Sequence, residues 1–272
     1  MQRIAILGTG RGYDGKAEVP APIAEIVGAG FEPGLIPNRL GVFPGTPEHR
    51  EINVLEYLEA GYKAEDEGYA GAFINTIGDY GLLQARTQLN IPIIGAGEAA
   101  MLLATTLGRR FSIVTIWPPA LEFLYTEVLN DYQLTDRCAS IRFVTADAEL
   151  DDKDTYVGDM KSQRSGIIDR VVAECERAAA EDHCDAIVLG CTCMAPIAPL
   201  VAERCAVPVI DGMRSGYKFT EMTIALGLTP RLPAADQRAP SRSEVDKLLQ
   251  AAAASLEPVE CEPCEVLAQT AG

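Results

Sequence analysis

The chain carries one short plan twice. Asp185-Ala-Ile-Val-Leu-Gly-Cys-Thr-Cys-Met194 opens with an apolar, β-branched run, passes one glycine and reaches Cys191. A run of that length, Ala186 to Leu189, reads as a buried parallel strand, and Gly190 permits a tight turn at its end. A helical pattern follows from roughly Ala195 to Arg204, and Val207-Pro-Val-Ile-Asp211 then returns as a strand. About 115 residues upstream, Gly71-Ala-Phe-Ile-Asn-Thr-Ile-Gly78 is again an apolar strand ending in small polar residues. It leads into a helical stretch, Gly81 to Leu89, and then Ile91-Pro-Ile-Ile-Gly95. Sixteen positions separate Thr76 from Pro92, and seventeen separate Cys191 from Pro208. Two strand–helix–strand units of matched spacing predict an internal duplication. Ligand sites in α/β sheets lie beyond the carboxyl ends of the strands, so a site between the halves would set Thr76 opposite Cys191.

Two readings stand for Cys191. A strand, a glycine, a cysteine and a helix start together present a thiol to N–H groups and a positive dipole, which favour thiolate and hold an anionic oxygen beside it. The plainer reading is a buried cysteine ending a core strand, because free cysteine is among the most buried residue types. Cys193 is a candidate second thiol, although a turn that starts a helix would point it away from Cys191.

A length of 272 residues suffices for one large or two small α/β domains. A net charge of −16 argues against nucleic acid or an anionic membrane surface as partner, and a small-molecule substrate is expected instead. Met1-Gln-Arg-Ile-Ala-Ile-Leu-Gly8 enters a strand directly, without signal-peptide architecture, and no apolar run reaches membrane-spanning length. A cytoplasmic protein is expected. Eight cysteines in a chain this long do not make a disulfide framework. His49 and His183 are too few and too far apart for a histidine-rich metal site. Cys261-Glu-Pro-Cys264 lacks two further ligands nearby, so the tail motif is read as incidental and no metal is expected.

Ile4 to Leu7 is the first strand, running into Gly8-Thr-Gly-Arg-Gly12. The third glycine of a dinucleotide fingerprint would fall at Tyr13, and Pro20 and Pro22 precede any helix, so a glycine turn with Thr9 as a substrate contact is the better reading. Residues 31–50 are rich in Pro and Gly and read as a long irregular segment, a lid or an oligomer contact. Helices are predicted over Glu48–Glu67, Gly97–Leu107, Ile167–Ala180, Arg214–Leu226 and Ser241–Leu256, the last opened by a serine cap. Glu98, in the first turn of its helix, is either a favourable N-terminal charge or an acid behind the site. Phe111–Ile116 and Ile141–Thr145 read as strands, Asp147–Asp154 as an acidic loop, and 230–240 as a linker. Thr115 closes its strand, and Tyr125 on the next helix is either a hydrogen-bond donor into the site or a packing tyrosine.

The phrases Ile74-Asn-Thr-Ile-Gly-Asp-Tyr-Gly-Leu82, Ile91-Pro-Ile-Ile-Gly-Ala-Gly-Glu-Ala-Ala100, Val188-Leu-Gly-Cys-Thr-Cys-Met194 and Val207-Pro-Val-Ile-Asp-Gly212 resemble the aspartate/glutamate/hydantoin racemase superfamily, the hydantoin branch above all. The resemblance covers about residues 1–226. It implies two pseudo-twofold-related, parallel-sheet α/β halves with the active site between them, to which this chain adds a C-terminal helix. On that plan residues 1–110 and 205–230 form the first half, 111–204 the second, and 231–272 a linker, helix and tail. It also implies a homo-oligomer, no cofactor and no metal.

In the superfamily two cysteines, one per half, remove and return a proton at a carbon α to a carbonyl. Cys191 matches the second-half cysteine. No cysteine precedes Cys138, and Thr76 stands where the hydantoin pattern has the first. A hydroxyl is a far weaker acid than a thiol, so Thr76 needs a neighbour such as Asp79, or water, to relay the proton. The enolate would be held by the turns Thr76–Gly78 and Cys191–Cys193 with the hydroxyls of Thr76, Thr115 and Thr192. Substrate contacts are thus expected from Thr9, Asn75, Ile77, Gly78, Asp79, Thr115, Tyr125 and Thr192. The function implied is a cofactor-independent racemase or epimerase of a small amino-acid- or hydantoin-like substrate, with Cys191 and Thr76 catalytic. The alternative is a single-cysteine decarboxylase, isomerase or lyase using Cys191 as proton donor or nucleophile.

Overall fold

The computed structural model describes residues 1–11, 18–229 and 240–255. In chain order the elements are β1 Gln2–Arg11, α1 Ala21–Ala24, β2 Phe31–Asn38, α2 Pro47–Asp66, β3 Gly71–Ile74, α3 Leu82–Gln88, β4 Ile93–Gly95, α4 Ala96–Leu107, β5 Phe111–Thr115 and α5 Glu122–Asp131. They continue with β6 Cys138–Phe143, α6 Lys153–Lys161, α7 Ser165–Glu181, β7 Ala186–Leu189, α8 Ala198–Ala202, β8 Val209–Asp211, α9 Gly212–Ala225 and α10 Arg242–Ser255. The strands form two parallel four-stranded sheets, ordered β2-β1-β3-β4 and β6-β5-β7-β8. The second order repeats the first strand for strand, as a duplication requires. Two α/β halves with an added C-terminal helix are thus the architecture.

Alternation along the strands decides what each face meets. Ala5, Leu7, Ala72 and Ile74 pack outward under α2, α3 and α10. Val114, Ile187 and Leu189 pack outward under α6, α7 and α8. Ile4, Ile6 and Phe73 of the first sheet and Phe111, Ile113, Ala186 and Val188 of the second share the central core, with α4 and α9 side by side between the sheets. Strands buried on both faces read as continuous apolar runs, which is why the sequence shows them plainly.

Several boundaries differ from expectation. Phe31–Asn38 is a strand paired with β1, so only the stretch from Arg39 to Thr46 is irregular. Glu56, fully buried on α2, accepts hydrogen bonds from the N–H groups of Leu40, Gly41 and Val42 and pins that stretch. The strand expected at 141–145 lies at Cys138–Phe143. The acidic loop winds into a 3₁₀ turn, Asp147–Asp152, and then α6. The helix expected after Cys191 is a 3₁₀ turn, Thr192–Ile197, before the five-residue α8, because Pro196 and Pro199 lack the N–H of a continuous α-helix. Val209–Asp211, expected with the first half, pairs with β7 in the second sheet. At the C-terminus, Ser241 and Glu244 exchange the bonds of a capping box, and α10 seats Val245 and Leu249 against the first half. The linker at 230–239 and the Cys261/Cys264 tail lie outside the described residues. Among the described residues no helix is long and apolar enough to cross a membrane.

Candidate active site

The Cys191 turn is built from beneath. Gly190 donates its N–H to Val114 O at 2.8 Å, and its carbonyl accepts the Tyr125 phenol at 2.9 Å. A Cβ at Gly190 would stand 2.6 Å from the Thr115 Cβ, so only glycine lets β7 end this close to β5. Thr115 Oγ1 lies 2.5 Å from the Tyr125 hydroxyl and accepts the Trp117 N–H at 3.2 Å. Thr115 and Tyr125 are both buried, and their hydroxyls are spent bracing the turn. They stand behind Cys191, not on the surface a substrate would touch. Cys191 is half-buried; its sulfur accepts the Cys193 N–H at 3.2 Å and its carbonyl accepts Met194 N–H at 3.0 Å. The Cys193 sulfur does not point away: Cys191 and Cys193 are joined by a disulfide.

The Thr76 turn has another design. Asn75 N–H donates to Leu7 O at 3.1 Å, and Gly78 N–H reaches Thr76 Oγ1 at 3.4 Å. Asp79 (φ 43°) and Gly81 (φ 74°) are left-handed, which folds the chain back into α3. Ile77 is buried in the central core against Gly212, so its contribution to the site is backbone. The Asn75 Oδ1 is buried without a hydrogen-bond partner among the described residues. The Tyr80 phenol lies beside Thr76 and packs against Gly78. Burial pushes the Tyr80 phenol well above its ordinary range, so it stays neutral.

Asp79 turns away from Thr76. Its carboxylate accepts Gly97 N–H at 3.0 Å and Glu98 N–H at 2.6 Å at the start of α4, and the Tyr132 phenol at 2.7 Å. Burial lifts it to about 7 against the pull of those three donors. The expected relay to Thr76 is therefore replaced by an anchor between the halves. Glu98 pairs with Arg86 at 2.5 Å and is a structural charge. The two turns meet directly: Thr192 Oγ1 donates to Asn75 O at 3.1 Å.

The structure thus brings the Cys191–Thr192 turn and the Asn75–Thr76 turn together through the Thr192–Asn75 bond, whereas the side chains of Asp79, Thr115 and Tyr125 are committed to neighbouring backbone and phenol groups. The side chain of Thr9 lies outside the described part of β1. Tyr80 and Tyr132 went unread as functional, and the Cys193 sulfur, weighed as a second thiol, was expected to point away from Cys191. Tyr80 sat inside the Gly-Asp-Tyr-Gly phrase with no periodicity to mark it, and Tyr132 is 53 residues from its partner. Among the described residues no group of three or more His, Cys, Asp or Glu side chains is placed to hold a metal ion.

Duplicated parallel-sheet halves close two polar strand-end turns onto each other, one of them bearing a cysteine. The model of the Asp/Glu/Hydantoin racemase family matches residues 40–220, and the chain belongs to that family. The chain is similar to the hydantoin racemase of Pseudomonas sp. (strain NS671), 35% identical over 177 residues, 65% of this chain and 67% of that protein. It is also similar to the hydantoin racemase of Rhizobium meliloti, 30% identical over 165 residues, 61% of this chain and 64% of that one. The solved allantoin racemase from Klebsiella pneumoniae superposes with a TM-score of 0.74 at 28% identity, covering 89% of this chain and 96% of that one. The chain is an isomerase, a racemase by family.

Proposed function

We propose that this racemase works without a cofactor on a small substrate of hydantoin-like or amino-acid-like chemistry, moving the proton on the carbon α to a carbonyl. Cys191, with its sulfur free, serves one face of that carbon and Thr76 the other. The observation that carries the reading is the Thr192–Asn75 bond, which closes the Cys191 turn onto the Thr76 turn. Removing an α-proton puts negative charge on the carbonyl oxygen, and preorganised N–H and hydroxyl donors at these turns would hold it. The N–H of Cys193 aimed at Sγ stabilises charge on the sulfur in the same way. The unpaired Oδ1 of Asn75 suits a substrate N–H, which both substrate types carry. Tyr80, a neutral phenol beside Thr76, is the neighbour through which an ordinary hydroxyl would pass a proton.

The relatives named above are racemases, so loss of carbon dioxide at a lone cysteine is the less favoured chemistry. The test is proton exchange in D2O on a panel of hydantoins, amino acids and 2-substituted malonates, followed by NMR on fully reduced protein, with Cys191→Ala as control. Deuterium in both enantiomers, lost in the variant, supports the proposal. Deuterium in one enantiomer, or only after decarboxylation, means that Cys191 works alone and overturns it.

A further inference from the structure

The Cys191–Cys193 pair does more than place one thiol at a strand end. Their Cα atoms are 5.2 Å apart, within the span a disulfide bridges, and the bond is made. Both residues are half-buried at a surface turn, whereas Cys175 and Cys184 are buried in the core. A bond that closes so short a loop constrains the unfolded chain least, so it adds little as a structural staple. Gly190, Thr115 and Tyr125 hold the turn from below, so opening and closing the bond asks for local movement only.

We propose that Cys191-Thr192-Cys193 is a thiol–disulfide exchange site, in which Cys193 closes reversibly onto the sulfur that racemisation uses. The inference rests on the catalytic reading of Cys191 for its effect on activity, and on geometry alone for the exchange. The oxidant class is a small-molecule disulfide such as glutathione disulfide. One protein thiolate attacks it, a mixed disulfide forms, and the first glutathione thiolate leaves. The second protein thiol gives up its proton and attacks the protein-bound sulfur, the Cys191–Cys193 bond forms, and the second glutathione leaves. Two electrons pass from protein to oxidant, and two protons end on the two glutathione thiols. A disulfide sulfur carries neither proton nor charge, so the oxidised site takes and gives no α-proton. The side chain of Cys193 has no part in the proton transfer itself.

The experiment poises the full chain in defined mixtures of reduced and oxidised glutathione, quenches with acid, alkylates free thiols and reads intact and peptide masses. The α-proton exchange rate is measured on the same samples. Wild type should lose both site thiols together, with the mass of two hydrogens missing and no glutathione retained. The disulfide-to-dithiol ratio should change tenfold for about every 30 mV. The exchange rate should fall roughly a hundredfold or more on full oxidation and return with reductant. Cys193→Ser should form no internal bond at any poise. The proposal is overturned by thiols that stay free at every poise, by a stable glutathione adduct in place of the bond, or by a fully oxidised protein that still exchanges. A disulfide that titrates as described in a protein whose reduced form exchanges no substrate on the panel would instead overturn the racemisation reading and leave the exchange site standing.

Discussion

The hydroxyl of Thr192 donates to the backbone carbonyl of Asn75 at 3.1 Å, joining residues 117 apart in sequence and one in each half. Each lies beside a candidate acid/base, Thr192 beside Cys191 and Asn75 beside Thr76. Thr192→Val keeps the shape and removes the donor, so it should cost about 1 kcal/mol of stability. The catalytic loss should be larger, roughly tenfold to a hundredfold in kcat, because two turns that shift by a fraction of an ångström no longer face one carbon. Thr192→Ser should retain most of both. Denaturant unfolding and steady-state kinetics on the three proteins check this.

Tyr80→Phe preserves the buried ring and deletes the hydroxyl at Thr76. The fold should hold, with KM little changed and kcat reduced about tenfold or more. For a pair of enantiomers the equilibrium constant is one, so kcat/KM must fall equally in both directions. An unchanged kcat in both directions would contradict the assignment.

Asp79 gives the fold a pH dependence of known sign. Its carboxyl ordinarily titrates at 3.8 and is raised to about 7 in the folded protein, so between these values the native state holds a proton that the unfolded chain has lost. Stability from this group is fully present below about pH 4 and falls as pH rises to about 7, by an amount on the order of a few kcal/mol. Tyr132→Phe removes a donor that stabilises the charged form. It should push Asp79 still higher and cost about 1–3 kcal/mol, felt most at neutral pH and above. Urea unfolding across that range, on wild type and variant, measures both effects.

The added helix is integral to the first half. Leu249 is 2% exposed in the outer core beneath α2, and Arg242 and Asp246 pair with Glu65 and Arg39. Leu249→Ala should destabilise the protein by about 2–4 kcal/mol. Because this face lies away from the strand ends, kcat of the folded variant should match wild type below its unfolding temperature. Thermal melts and assays below the melting transition decide it.

The sequence by itself determined the alternation of strands and helices, the duplication, and the placement of Cys191 and Thr76 at corresponding strand ends. Those features are local: an apolar run, a glycine and a polar residue carry their own geometry. It also determined that no thiol stands at or near the Thr76 strand end in the chain, since no cysteine precedes Cys138. Only the tertiary structure decided that Asp79 turns to the start of α4 and to Tyr132, that Thr115 and Tyr125 brace the Gly190 carbonyl, and that Tyr80 backs Thr76. It likewise drew Phe31–Asn38 into the sheet, where pairing with β1 outweighed two prolines and a glycine. Each of these depends on which groups a buried polar atom finds across the interface. A buried carboxylate or hydroxyl must be satisfied by whatever packs against it, and that partner is chosen by how the two sheets close, not by the neighbouring letters of the chain.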